Sequence, residues 1–174
     1  MSIKKLKVLG FIFAFLFCFP MHFVYDKFPS FVSSVFFPVN ESIWEHMKLL
    51  FGSIILSGVI QKMIVLKKKL NFNNICFSNF IAAISCIVIF LILFLPIYYI
   101  FGHNLVVTII IMFISIGVSE FISYLIIKCK NFKLENITIF FVFIVYVIFL
   151  IFTYFPLSFD LFIDPISKIS GITK

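Results

Sequence analysis

The segment Asn40–Lys48 is the most polar part of the chain, and it contains two carboxylates and an imidazole. If the segment is helical, Glu41 and Glu45 lie on one face, while His46 is rotated by about 100° from Glu45. Carboxylate and imidazole groups bind Zn²⁺, Mn²⁺ or Fe²⁺ and also serve in acid–base catalysis. The spacing is not that of an HExxH metalloprotease helix. The segment therefore predicts a pocket that holds metal ligands or an acid–base pair.

A purely structural interpretation of this segment stays open. Asn40 or Ser42 can cap a helix that begins here, and Ser42 with Glu45 fits the S-x-x-E capping box. Acidic residues in the first turn complement the helix dipole, and Trp44 with Lys48 is typical of an anchor at the membrane surface. Either these groups only cap and anchor a helix, or they also form a site in which Trp44 contacts the substrate.

A third candidate ligand lies earlier in the chain. His22 and Asp26 are four residues apart, so on a helix they face the same way. Imidazole nitrogen is a common ligand of divalent metals. We therefore expect His22, Glu45 and His46 to hold a divalent metal ion, and we expect Glu41 to share the catalytic work with them. A lone interfacial histidine with a structural role is the alternative for His22.

Two polar groups further along the chain are expected to contact a substrate. His103 lies in a short turn, where polar residues are commonly exposed. Asp164, with Asp160 four residues before it, lies in an apolar tail after the last predicted helix. This tail could fold back over the mouth of the bundle as a lid, so that His103 or Asp164 orients the substrate. The alternative is an amphipathic anchor that lies on the membrane.

Glu120 is a carboxylate inside an otherwise apolar segment. A charge at that depth costs a few kcal/mol, so such residues usually face the bundle interior and mark a pathway or a polar partner. Gln61 and Tyr124 are the predicted partners, and neighbouring serines can solvate the carboxyl group. Glu120 is either a functional group that contacts a substrate or a neutral group that helps the helices to pack.

The elements that must position these residues are membrane helices. The chain has 174 residues, of which 63% are hydrophobic and 12% charged, and this apolar surface exceeds what a core of that size can enclose. Long unbroken apolar runs indicate helices rather than barrel strands. The net charge of +7 comes from lysines that flank these runs, which excludes nucleic acid as a partner and leaves membrane lipid. The four cysteines show no metal-ligand spacing.

The predicted fold is an all-α polytopic bundle of about five transmembrane helices, forming a single integral membrane domain. The expected spans are residues 6–25, 49–66, 75–94, 105–127 and 137–154, with interfacial segments at 26–48 and 155–174. The second helix is expected to begin near Ser42 and to continue through Leu66 without a break. The basic amino terminus is predicted to be a retained first helix rather than a cleaved signal.

Lysine placement predicts the orientation in the membrane. With the amino terminus in the cytoplasm, most lysines of the loops and termini fall on the cytoplasmic side, at positions 4, 5, 7, 67, 68, 69, 128, 130 and 133. The three histidines and most carboxylates then lie at the outer face of a cell membrane, and the tail lies outside.

Several motifs together resemble a family of small, uncharacterised membrane proteins of Firmicutes-type bacteria. They are the N-E-S-x-W-E-H-x-K run Asn40–Lys48, the earlier run 22–25, and the late runs 154–157 and 162–165. The resemblance spans most of the chain and implies a bacterial cell-membrane protein, but it implies no activity. The chain departs from the glycine-tyrosine-glycine ending of the family, because it reads Ser170-Gly171-Ile172.

Convergence of ionisable groups at one membrane face leads to the functional hypothesis. We expect a membrane-embedded hydrolase or transferase that acts on a lipid or lipid-linked substrate at the outer leaflet, with a divalent metal as its cofactor. The alternative is a non-enzymatic protein, namely a small permease, a metal-binding subunit or a membrane scaffold. Glu120 separates the two, because a transport path needs polar groups that continue inward.

Overall fold

The computed structural model of the protein describes residues 1–102 and 104–172, so the role predicted for His103 lies outside the described residues. The described chain is helical and contains no strand, although Ile163 and Ser170 form an isolated antiparallel bridge. The elements in order are α1 (Ile3–His22), α2 (Val24–Lys27), α3 (Phe31–Phe36), α4 (Ile43–Lys67), α5 (Ile75–Phe101), α6 (Leu105–Ile127), α7 (Glu135–Tyr154) and a 3₁₀ turn (Asp160–Phe162).

Five segments are long and apolar enough to cross a membrane, and they confirm the predicted fold class. They are α1 together with α2, and each of α4, α5, α6 and α7. The bounds of α6 are those predicted, whereas α5 continues past Pro96 to Phe101. Proline is tolerated in such a helix because neighbouring groups satisfy the backbone that it leaves unpaired.

The start of α4 confirms part of the capping prediction. Ser42 is the N-cap, and its hydroxyl oxygen accepts a hydrogen bond from the Glu45 backbone N–H at 3.3 Å. The reciprocal half of the box does not form, because the Ser42 N–H donates to the Asn40 side chain at 2.9 Å. Since the helix begins at Ile43, Glu41 precedes it. The prediction that Glu41 and Glu45 share a helix face is therefore wrong.

The five long helices alternate in direction between two ends of the bundle. We call the end that contains His22, Ser42 and Tyr154 the histidine end, and the end that contains Leu6, Val65, Ile75 and Ile127 the lysine end. The four residues of the lysine end pack into one buried cluster, which shows that α1, α4, α5 and α6 meet there. At the histidine end, the hydroxyl groups of Ser34 and Tyr154 lie 3.1 Å apart.

Helix packing gives α4 the central position. It packs on α1 and on α5, while α6 closes a ring by packing on the same two helices. Helix α7 lies outside this ring, against α5 and α3. As a result, α4 is the most buried of the five long helices and α7 the least. The buried polar residues of α4, among them Glu45, Lys48 and Gln61, therefore face protein, and each of them needs a partner.

Gly10 permits the close approach of α1 to α4. Its carbonyl oxygen accepts a hydrogen bond from the Ser57 hydroxyl at 2.8 Å, and a Cβ at position 10 would lie 2.7 Å from Cδ of Gln61. Small residues commonly allow such contacts between membrane helices. A methyl group here must push the two helices apart or displace the Gln61 amide.

We expect Gly10→Ala to lower the free energy of unfolding by about 1–3 kcal/mol, the usual cost of overpacking a core. The measurement is thermal unfolding of the purified protein in detergent. Gly117→Ala is the matched control, because a Cβ there meets Phe11 at an ordinary 3.6 Å. Equal melting temperatures for the two variants would contradict the assigned role of Gly10.

Candidate metal centre

Three side chains meet at the histidine end, and each offers one ligand atom. Ligand atoms of His22, Glu41 and His46 all lie within 4.8 Å of one another. Oε2 of Glu41 is 3.4 Å from Nε2 of His22 and 3.8 Å from Nε2 of His46. All three side chains are partly buried. The three side chains therefore lie as close together as the predicted shared site requires.

Local structure explains how three separate segments reach one point. His22 is the last residue of α1, and His46 lies in the first turn of α4. Glu41 belongs to the short connection just before the Ser42 cap, where the backbone is not helical. The carboxylate therefore lies between the two rings, which are 5.6 Å apart at their centroids.

A backbone hydrogen bond orients the His46 ring. Nδ1 of His46 lies 2.9 Å from the Ser42 carbonyl oxygen, and a carbonyl only accepts, so Nδ1 carries the proton. In the neutral ring the lone pair then resides on Nε2, the atom that faces Glu41. Such a second hydrogen bond is what usually orients a metal-binding histidine.

The carboxyl group of Glu41 is ionised across the ordinary pH range. Its hydrogen bond from His22 lowers the pKa of Glu41, and although burial opposes this effect, the net pKa is below the usual value. The stabilisation from this carboxylate is therefore present above its unfolded-state pKa of about 4.3 and is lost as the pH falls through the lower folded-state pKa. A metal ion would meet a charged oxygen here.

A polar cleft of about 190 Å³ opens beside His22 and Glu41. Its other lining residues include Asp26, Asn40, Asp164 and Ser167. Asp164 is held by backbone groups, because its carboxylate accepts N–H bonds from Ile166 at 2.7 Å and from Glu41 at 3.2 Å. Burial raises the pKa of Asp164, but these hydrogen bonds together lower it by more. The net pKa is therefore below the usual value.

The tail covers this end of α4. The Asn40 side-chain amide donates to the Gly171 carbonyl oxygen at 2.8 Å, and the 3₁₀ turn packs against α4. Gly171 has a positive φ of 73°, a conformation that suits glycine. Of the two arrangements predicted for the tail, these contacts match the one in which it folds back over the mouth.

Comparison with known proteins places the chain in a family. The model of the family of unknown function DUF6512 matches residues 1–172. The chain belongs to the DUF6512 family. No curated protein and no solved structure matches it. The predicted membership of an uncharacterised family is therefore confirmed, while a bacterial source and the role of the N-E-S-x-W-E-H-x-K run as a family signature stay predictions.

In this DUF6512 protein, Glu45 does not join the two histidines. Its carboxylate is 1% exposed, lies 2.6 Å from Nζ of Lys48 and accepts a hydrogen bond from the Thr153 hydroxyl at 2.7 Å. Glu45 follows the helix cap and faces α7, away from His46, because adjacent helix residues are rotated by about 100°. The three predicted ligands His22, Glu45 and His46 therefore do not converge, and the side chains that do converge are those of His22, Glu41 and His46.

Lys48 and Trp44 are buried, so the predicted surface anchor is wrong. Lys48 is fully buried, and Trp44 is 8% exposed. The Trp44 ring packs on Phe149 and Phe162, with centroids 5.1 and 4.9 Å away. The contact of Trp44 with a substrate stays a prediction, but the ring's observed role is to join α4, α7 and the tail.

Glu120 lies near the lysine end and has a charged partner that the sequence did not reveal. Its carboxylate is 3.2 Å from Nζ of Lys7 and accepts a hydrogen bond from the Gln61 amide at 3.3 Å. The sequence predicts Gln61 as a partner, whereas it places Lys7 among the lysines that orient the chain in the membrane. Lys7 also donates to the Asn79 amide oxygen at 2.6 Å. Glu120 is therefore separate from the metal centre, and its role as a substrate contact there has no geometric support.

Proposed function

We propose that DUF6512 proteins of this type bind one divalent metal ion at the histidine end and use it to hydrolyse or transfer part of a lipid or lipid-linked substrate. The observation that carries the proposal is the convergence of His22, Glu41 and His46 within 4.8 Å. Two imidazoles and one carboxylate form the ligand set of many catalytic zinc sites, where three protein ligands leave one position open.

The distances support a tetrahedral site. Metal bonds of about 2.0–2.1 Å in a tetrahedron place the ligand atoms about 3.3 Å apart. The separations of Glu41 from His22, 3.4 Å, and from His46, 3.8 Å, approach this value without a metal. The ligand atoms of the two histidines lie within 4.8 Å of each other, so the set must contract to hold one ion. The Ser42 carbonyl already fixes the His46 tautomer that leaves Nε2 free to bind.

Two further carboxylates, those of Asp26 and Asp164, line the cleft and take separate roles in this proposal. A metal ion held by these three residues of the triad, His22, Glu41 and His46, would polarise a bound water. We assign Asp26, which lines that cleft, as the carboxylate that takes the proton from this water. Asp164 positions the tail and the Glu41 backbone, and through them the wall of the cleft against which the substrate lies.

Lysine placement supports the orientation and the substrate class. The lysine end is the cytoplasmic side in this proposal, so the histidine end faces the outer leaflet of a cell membrane. The cleft is lined by the end of α1, by α2, by the residues just before α4 and by the tail that follows α7. In this proposal that end of the bundle lies at the headgroups of the outer leaflet. A lipid headgroup or a lipid-linked group is the substrate that reaches this level without leaving the membrane.

A non-enzymatic role is the second candidate, and the ion pair of Lys7 and Glu120 favours it. A permease would use such buried charges along a path. Against a continuous path, several buried hydroxyls between the two sites bond to backbone carbonyls, as Ser53 does to Leu50 and Ser115 to Ile111. The metal centre alone would equally serve a metal-binding subunit or a scaffold.

Zinc titration at several pH values tests the metal centre directly. We expect the purified, metal-stripped protein to bind one Zn²⁺ per chain, with an affinity that rises about 100-fold from pH 5.5 to 7.5. Both histidines must lose their protons to bind, and the ordinary histidine pKa is about 6.5, whereas Glu41 is already ionised. Isothermal titration calorimetry measures the affinity. No saturable binding, or binding that does not depend on pH, would refute the proposal.

A further inference from the structure

A groove of about 450 Å³ runs between α1 and α6 in the half of the bundle nearest the lysine end. Its apolar walls include Val8, Phe11 and Phe121, and its width at one point is set by Gly117. Val8 and Phe121 are 52% and 59% exposed, so the groove opens on the outer surface of two membrane-spanning helices. Its volume lies within the range of about 300–1,000 Å³ that is usual for small-molecule sites.

Lysine side chains flank one mouth of this groove. Lys4 lines the groove and is exposed, and Tyr124 lines it from the opposite helix. Nζ of Lys128 lies 5.0 Å from the centre of the Tyr124 ring, which places this second exposed cation beside the same mouth. A negatively charged group between Lys4 and Lys128 would meet two ammonium groups at the level of lipid headgroups.

The floor of the groove is charged but internally neutralised. Lys7 and Glu120 line it, are 4% and 3% exposed, and form an ion pair at 3.2 Å. Because these two charges offset one another, the net charge of the lining comes from Lys4. The lysine mouth is therefore cationic, whereas the walls further along the helices are apolar.

We propose that this groove binds one anionic glycerophospholipid from the leaflet at the lysine end. Its phosphodiester headgroup lies between Lys4 and Lys128, and an acyl chain packs along Val8, Phe11 and Phe121. An apolar groove with a cationic mouth on a membrane-facing surface matches the two parts of such a lipid, and Lys4 and Phe11 are about 10 Å apart along α1. This site is remote from the metal centre and does not depend on the proposed function.

Native mass spectrometry of the delipidated protein in detergent tests the site. The probes are phosphatidylglycerol, which is anionic, and phosphatidylcholine with the same acyl chains, which is zwitterionic. We expect one tightly bound phosphatidylglycerol per chain and an apparent affinity about 30-fold higher than for phosphatidylcholine, as two surface lysines would provide. Inorganic phosphate at millimolar concentration should not displace the lipid, and displacement would overturn the proposal in favour of a free-anion site.

Two sets of variants separate the mouth from the groove. Lys4→Gln with Lys128→Gln should remove the preference for phosphatidylglycerol, whereas the exposed pair Lys5→Gln with Lys130→Gln should keep it. Gly117→Phe should fill the groove and weaken binding of both lipids about tenfold, whereas Val118→Phe, on the neighbouring exposed position, should not. Thermal unfolding confirms that each variant is folded.

The outcomes decide between a specific site and a general lipid surface. A preference that survives the Lys4 and Lys128 changes, or that the control pair removes equally, would overturn the proposal. The proposal would also be overturned if the Gly117→Phe protein bound both lipids as tightly as the unmodified protein does. Since none of these measurements involves a metal, their failure would leave the proposed function untouched, and failure of zinc binding would leave this site untouched.

Discussion

Replacing His46 by alanine, or Glu41 by glutamine, is expected to lower the affinity for Zn²⁺ by about 100-fold or more. Changes that only disturb the groups around a metal ligand typically cost 10–100-fold, so loss of a ligand should exceed that range. The carboxylate of Glu41 lies between both imidazoles, at 3.4 and 3.8 Å, and its neutralisation removes the only negative charge in the triad. Calorimetry and the metal content of the purified protein measure the effect.

Asp160→Asn is the matched control for Glu41→Gln, because Asp160 is an exposed carboxylate in the tail, outside the metal triad. We expect it to bind Zn²⁺ as the unmodified protein does. Cellular lipid profiles provide the second readout. A strain that carries Glu41→Gln should fail to restore a profile that the unmodified chain restores. Wild-type zinc affinity in both triad variants would end the metal hypothesis, and an unchanged lipid profile beside lost metal would favour the non-enzymatic role.

Glu45→Ala is expected to lower the free energy of unfolding by about 3–5 kcal/mol, because it leaves a buried lysine without its counter-charge. Lys48 is 0% exposed, and without Glu45 it keeps only the Ser34 carbonyl oxygen at 2.8 Å and the Thr153 hydroxyl at 3.1 Å. Thermal or denaturant unfolding in detergent measures the loss. The zinc affinity of the folded fraction should stay unchanged, since Glu45 is not a ligand.

A double-mutant cycle shows that the loss comes from the unpaired charge. Glu45→Gln combined with Lys48→Met removes both charges and should cost less than either change alone, because breaking a buried pair is more harmful than replacing it. Glu135→Ala is the control for a partly exposed ion pair. Its carboxylate is 30% exposed, pairs with Lys62 at 3.0 Å and accepts a hydrogen bond from the Cys76 N–H at 3.1 Å, so its loss should cost about 1–2 kcal/mol, less than the loss of Glu45. A Glu45→Ala protein as stable as the Glu135→Ala protein would contradict the assignment.

The polar segment Asn40–Lys48 contains two groups of residues with different roles. Glu41 and His46 belong to the proposed metal centre, while Glu45 and Lys48 connect α4 with α7 and with α3, which contains Ser34. A stability loss can therefore be distinguished from a loss of metal binding, although the residues concerned lie within two turns of one another.

Much of the helix architecture follows from the sequence because it depends on local properties. Apolar runs of about 20 residues must be helical in lipid, where every backbone N–H and C=O needs an internal partner. The bounds of α6 and the Ser42 cap were predictable for this reason. The grouping of His22, His46 and most carboxylates at one end follows as well, since successive membrane helices alternate in direction.

What the sequence could not supply is the partner of each buried charge. From its position in the sequence, Lys7 is expected to orient the chain in the membrane and Lys48 to anchor a helix at the surface. Both are instead buried in ion pairs, Lys7 with Glu120 and Lys48 with Glu45. Pairing across helices depends on their rotation about their own axes, and that rotation is set by contacts such as Gly10 against Gln61, which are distant in the chain. No local pattern encodes such contacts.

The candidate metal centre illustrates the same division. By itself the sequence determined that His22, Glu41, Glu45 and His46 would lie near one end of the bundle, because the helix ends are fixed by hydrophobic length. Only the tertiary structure decided which carboxylate lies between the histidines. Helix α4 begins after Glu41, which leaves Glu41 to lie beside the end of α1, and the helix turns Glu45 toward Lys48 and Thr153.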